Sequence, residues 1–167
     1  DSEYDSFNLK VQDLEAKITS NTKAIMVVHI YGLPVDMNPI LELAKKYNLK
    51  IIEDAVEMHG QIYNGKMCGS FGDISIFSFY PNKHITTGEG GMVLMNDEQL
   101  HERCKSLRNL CFSPDGNKRF IHEELGWNLR MTNIQAALGV AQLERIDEFV
   151  AKKRWIGSMY QELLSDI

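Results

Sequence analysis

Between residues 22 and 54 the apolar positions change rhythm twice. "TKAIMVVHI" (22–30) is a β-branched apolar run that "YGLPVD" ends with a glycine and a proline, which predicts a buried strand followed by a turn. "MNPILELAKKYNL" then spaces Ile40, Leu41, Ala44 and Tyr47 three or four residues apart, so one helical face is apolar. Pro39 falls where the first helical turn tolerates it, and the lysines fall near the end. "KIIEDA" returns to a short apolar run closed by acids. Strand, helix and strand in this order predict a right-handed parallel crossover.

Further on, "GQIYNGKMCGSFGD" reads as a small hairpin or loop, "ISIFSFY" as a third strand and "GGMVLMN" as a fourth. "DEQLHERCKSLRNL" is a helix that Asn96 or Asp97 would cap. "CFSPDGNKRFIHEELGWNLR" mixes turn formers with aromatics and has no period, as long functional loops do. From "MTNIQAALGVAQLERID" helix signals run almost to the C-terminus, with Thr132 as cap and Gly139 as the weak point. The expected fold class is α/β, with a mostly parallel mixed sheet flanked by helices.

Composition narrows the function classes. The 167 residues are 44% hydrophobic and 25% charged, which excludes disordered and fibrous chains. A net charge of -5 argues against nucleic acid, whose phosphates demand a basic footprint; "AKKRW" reads as a solvated helix face. No apolar run reaches the roughly 20 residues that span a bilayer, and "DSEYDSFN" is unlike a signal, so the expected location is the cytoplasm. Cys68, Cys104 and Cys111 lack CxxC spacing, and His29, His59, His101 and His122 are scattered, so no metal site is expected.

Two strand ends carry candidate chemistry: Asp54 after "KIIE" and Lys83 after "FSFYPN". Ligands of α/β sheets bind beyond the carboxyl ends of parallel strands, so both residues can face one crevice. A lysine that condenses with a carbonyl must first lose its proton, which a partly desolvated setting promotes. Pyridoxal phosphate would supply the aldehyde, and a ring that withdraws electrons best while its nitrogen stays protonated. A carboxylate such as Asp54 favours that protonation, and Ser78 offers a hydroxyl to the phosphate. The glycines of "GEGG" allow a close backbone approach or simply a turn. A strand-end aspartate is equally a loop cap, a ribose contact or a metal contact.

"IIEDAVEMHG", "GSFGDISIFSFYPNKHITTGEGGMV" and "HEELGWNLRMTNIQAALGVAQLERID", in this order, resemble the DegT family of pyridoxal-phosphate sugar aminotransferases over nearly the whole chain. The resemblance implies an aspartate aminotransferase-like fold, fold type I. It implies that Lys83 holds the cofactor and relays protons, that Asp54 partners the pyridine nitrogen, that Glu57 lies beside the ring and that Ser78 binds the phosphate. Asn128 would reach the phosphate in a neighbouring subunit, making the active form a homodimer with shared sites. Glu57 as a solvated helix residue, Ser78 as a core hydroxyl and Asn128 as a turn former are the structural alternatives.

One subgroup of the family replaces the lysine with histidine and dehydrates; here Lys83 is kept and His84 follows it. The resemblance therefore implies amino transfer from glutamate to a nucleotide-linked 4-keto-6-deoxy sugar, nearest the perosamine synthase branch and hence a GDP-linked sugar. A sugar dehydratase and a non-catalytic binding module are the competing readings. Family members are longer than this chain, so residues 1–143 are expected to be part of the large cofactor-binding domain. Residues 144–167 are expected to form a connecting helix toward a C-terminal domain. The segment alone, without the family's Gly-Thr phosphate cradle and closing domain, is expected not to turn over.

Overall fold

The computed structural model describes residues 1–167 except Pro114, Arg119 and Glu123. Strand β1 (Ala24–Val28), helix α1 (Met37–Tyr47) and strand β2 (Lys50–Asp54) form the expected crossover, with β1 and β2 parallel in the register Ala24↔Lys50 to Val28↔Asp54. Met37, Ile40 and Ala44 are the buried stripe of α1, and they close on Ile25, Val27, Val35 and Ile51. That cluster is the main core. Asn48 ends α1 in the left-handed conformation, where its backbone N–H bonds to the last carbonyls.

The hairpin is β3 (Ile62–Tyr63) and β4 (Lys66–Met67), joined by Asn64 and Gly65, both at positive φ as a two-residue turn of this hand requires. Strand β5 (Ile74–Ser78) adds parallel to β2, and β6 (Gly91–Leu94) adds antiparallel to β5. The four-stranded sheet therefore runs β1-β2-β5-β6, parallel over three strands and mixed at its edge.

Side chains of a strand alternate between faces, and partners across the ladder share one. Ile25, Val27, Ile51, Glu53 and Ser75 consequently lie on the face that α1 covers; Ile52, Asp54, Ile76 and Ser78 lie on the other. All four residues of β6 are exposed.

Helix α2 (Glu98–Arg108) is capped by Asp97, whose Oδ1 accepts from Gln99 N at 2.8 Å and Leu100 N at 3.0 Å. The long segment after it is irregular, crossed by bridges Asn109↔Asn128 and Phe112↔His122; Pro114, Arg119 and Glu123 of this loop lie outside the described residues.

The C-terminal stretch departs from expectation. It is two helices, α3 (Asn133–Leu143) and α4 (Ile146–Leu163), and the break falls at Glu144 and Arg145, not at Gly139. Arg145 leaves the helical region (φ -115, ψ 16), and its N–H turns to Gln142 O, a tight three-residue bond. Its guanidinium then pairs with Glu148 at 2.8 Å in the first turn of α4. Gly139 sits inside α3 for another reason. A Cβ there would come within 3.0 Å of Thr87 Cγ2, so the glycine permits a close approach between α3 and the loop after β5.

Candidate active site at the carboxyl ends of β2 and β5

Adjacent residues at the end of β2 meet opposite environments. Glu53 is fully buried and accepts from His29 Nε2 at 3.1 Å, Phe71 N at 2.8 Å, Gly72 N at 3.0 Å and Ser75 Oγ at 3.1 Å, with Gly69 N completing the set. His29 Nδ1 accepts from Val35 N at 3.1 Å, so the proton it gives Glu53 is on Nε2. Burial alone would raise the Glu53 carboxyl; the bonds from His29 and the amides of Gly69, Phe71 and Gly72 more than reverse this and hold it at about 2. Glu53 thus fastens the turn that delivers β5. His29 has the ordinary hydrogen-bonding role its sequence position suggested.

Asp54, on the other face, has among the described residues one side-chain hydrogen bond, Oδ1 accepting from Val56 N at 3.2 Å. Its ladder partner is Ile76, and Ser78, two residues on, shares its face. Ser78 Oγ accepts from Tyr80 N at 3.2 Å. Hence Asp54 and Ser78 occupy the same face at the ends of neighbouring parallel strands.

Lys83 follows in the loop between β5 and β6. Its N–H closes a turn onto Tyr80 O at 3.0 Å, and its Nζ reaches Glu57 Oε1 at 3.2 Å. The side chain is 14% exposed, against 61% for Lys46 and 71% for Lys50, both in surface ion pairs. Glu57 stands in the turn three residues beyond Asp54, and its second oxygen accepts from Tyr31 N at 2.7 Å. The Glu57–Lys83 pair therefore joins the ends of β1, β2 and β5 and opens on a cleft of about 400 Å³, walled also by His59, His84 and Lys153.

The cleft is rich in cations and poor in protons. Burial, then Lys153 and Lys83, push His84 down; burial, then His84 and Lys83, hold His59 at about 4. Both His59 nitrogens are buried without a partner among the described residues, and its ring packs on Phe77 at 5.3 Å and His84 at 5.8 Å. His59 acts here as an aromatic plug behind Lys83.

Of the residues that sequence reasoning singled out, Lys83 and Glu57 are in direct contact, and Asp54 and Ser78 share a sheet face at the ends of neighbouring strands. Asn128 is not among them. It is exposed, bridged to Asn109, in the segment whose neighbours Trp127 and Leu129 face a separate groove along β6 and α2. Sequence reasoning missed Glu53, although a carboxylate inside an apolar strand run was its signal, and missed the Tyr31 amide, which no side-chain pattern encodes. Among the described residues the three acids and histidines grouped closely enough for a metal, Glu98, His101 and Glu102, lie exposed on α2. No helix among the described residues is long and apolar enough to cross a membrane.

A parallel sheet with a half-buried lysine beyond β5 and carboxylates beyond β2 defines an aspartate aminotransferase-like, fold type I domain. The chain belongs to the DegT/DnrJ/EryC1/StrS aminotransferase family, whose model matches residues 1–167. It is 49% identical over 167 residues to a GDP-perosamine synthase of Escherichia coli and 50% identical over 165 residues to one of Caulobacter vibrioides. These matches cover 100% and 99% of this chain but 45% and 44% of those proteins, so the chain spans under half their length. Among solved structures, Helicobacter pylori PseC, an aminotransferase involved in the biosynthesis of pseudoaminic acid, superposes with a TM-score of 0.91 at 32% identity. That superposition covers 99% of this chain and 45% of PseC.

Proposed function

We propose that the protein carrying this chain is a pyridoxal-phosphate aminotransferase that converts a nucleotide-linked 4-keto-6-deoxy sugar to its 4-amino sugar, with glutamate as donor. The observation that carries the reading is Lys83, a largely buried amine held 3.2 Å from Glu57 where three strand ends converge. The donor set fits the cofactor: an amine, a carboxylate with acceptor capacity to spare in Asp54, and a hydroxyl in Ser78 on the same face. When bound, pyridoxal phosphate supplies an aldehyde for the amine and a ring that withdraws electrons.

This chain's residues do the rest. Asp54, whose Oδ2 has no hydrogen bond among the described residues, would hold the ring nitrogen protonated. Glu57, pinned by the Tyr31 amide, orients Lys83 Nζ. Lys83 would carry the proton that amino transfer relocates, from an Nζ whose position Glu57 holds. Ser78 would donate to the phosphate, and Asn128, exposed and bridged to Asn109, would serve the phosphate of a second copy, so that two chains share each pair of sites. Residues 144–167 carry the chain toward the smaller domain of the parent enzyme, which works in the cytoplasm.

Identity near 50% to two proteins named GDP-perosamine synthase favours a GDP-linked substrate. Lys83 itself favours amino transfer over dehydration, because a dehydratase of this family keeps histidine in its place. The test is product analysis with GDP-4-keto-6-deoxymannose and glutamate. Gain of an amine with stoichiometric 2-oxoglutarate is expected; loss of a hydroxyl without an amine would reverse the reading.

A further inference from the structure

We infer that Gln142 and Gln135 on α3 are positioning residues that clamp the Lys83 loop and so set where the reactive amine stands; this rests on the aminotransferase reading of Lys83. Gln142 forms a two-way pair with one loop residue: Thr86 N donates to its Oε1 at 3.0 Å, and its Nε2 donates to Thr86 O at 2.7 Å. The carboxamide cannot rotate out of this pairing cheaply, since Nε2 also donates to Leu138 O of its own helix at 2.8 Å. Gln135, seven residues earlier on the same face, sends Nε2 to Glu89 O at 3.0 Å while its Oε1 accepts from Thr132 N at 3.0 Å, the helix cap. Gly139 lies between them, where a side chain would meet Thr87.

The loop also has closures of its own around Phe79, whose N–H donates to Gly90 O at 2.9 Å. Thr86 Oγ1 and Thr87 N both donate to Phe79 O, at 2.9 and 3.0 Å, and Ile85 and Thr87 are buried. Two residues separate Lys83 from Thr86, so the backbone that carries the amine is held by Tyr80 on one side and by Gln142 and Phe79 on the other. A displacement of about 1 Å at a reacting atom costs up to about 10²-fold in rate, and this loop offers no other side chain from α3 to prevent it among the described residues.

The experiment compares Gln142→Met, which keeps length and apolar volume but loses both bonds, with Gln142→Asn, which keeps the amide one methylene short. Four measurements apply to the protein: amide exchange, acetylation rates of individual lysines by acetic anhydride, capture of pyridoxal phosphate by borohydride, and steady-state kinetics. In both variants exchange at residues 84–90 should rise about tenfold while α1 and the core strands stay protected. Lys83 acetylation should rise about threefold or more with other lysines unchanged, while pyridoxal phosphate capture at Lys83 and kcat fall about tenfold and KM for the sugar stays within about twofold. Unchanged exchange and acetylation at the loop would overturn the clamp, and so would a uniform rise at all lysines, which marks general loosening. If the unmutated protein captures no cofactor at Lys83, the functional reading fails, while exchange and acetylation still decide the clamp.

Discussion

Glu53 and Asp54 are chemically near-identical neighbours on one strand, yet the two faces of the sheet treat them in opposite ways. Glu53 faces α1 and the 69–75 turn, where five donors exhaust its oxygens; Asp54 lies on the opposite face, shared with Ile76 and Ser78, with one side-chain bond among the described residues. A buried carboxylate whose lone pairs are all engaged is part of the scaffold, because nothing is left for a ligand. One at a strand end with capacity in hand is equipped to bind. On the proposed function, the contrast gives stability to one face and cofactor binding to the other.

The largest expected effect lies on the chemical face. Lys83→Ala should lower turnover at least about 10⁴-fold while changing stability by less than about 1 kcal/mol, since its partner Glu57 is partly solvated. Steady-state kinetics paired with urea unfolding would check both halves. Next comes the swap of neighbours. Asp54→Asn should lower turnover about 10²-fold with little change in stability, because asparagine still accepts from Val56 N. Glu53→Gln should cost roughly 3 kcal/mol or more, because its new NH₂ faces backbone donors. Equal stability losses in the two variants would erase the distinction between faces.

Acid should sharpen it further. An unfolded glutamate titrates near its ordinary 4.5 while Glu53 is held at about 2, so the unfolded chain takes up the proton first as pH falls. The contribution of Glu53 is complete above pH 4.5 and is lost between 4.5 and 2, amounting to about 3 kcal/mol; urea midpoints against pH should show this leg, and Glu53→Gln should lack it. His59 gives an effect of similar size at higher pH. Its ring, ordinarily near 6.5, is held at about 4, so stability is complete above 6.5 and falls as pH drops toward 4. His59→Phe should flatten that window and leave the lower one intact.

Much of the scaffold was legible because its periods are clean. The β-branched run, the spaced apolar residues of α1 and the Asn64-Gly65 turn each use local rules that tertiary contacts did not overrule. A motif resemblance and strand-end logic pointed to Lys83, Asp54, Glu57 and Ser78, and the structure pairs Lys83 with Glu57 and puts Asp54 and Ser78 on one sheet face. The helix break was not, since Glu144 and Arg145 are good helix formers and their turn is fixed by a tightened backbone bond and the Arg145–Glu148 pair. Gly139 looked like a helix flaw because its reason, the nearness of Thr87, is a contact across more than fifty positions. Glu53 was passed over because adjacent carboxylates look alike until the register sends them to opposite faces.

The most direct measurement is to incubate the protein with pyridoxal phosphate, reduce with borohydride and map the modified peptide. A single label on Lys83, greatly weakened by Asp54→Asn but kept in Glu53→Gln under folding conditions, is the expected result. Labels distributed over surface lysines such as Lys46 and Lys50, or a Lys83 label indifferent to Asp54, would contradict the division of the sheet into a structural and a reactive face.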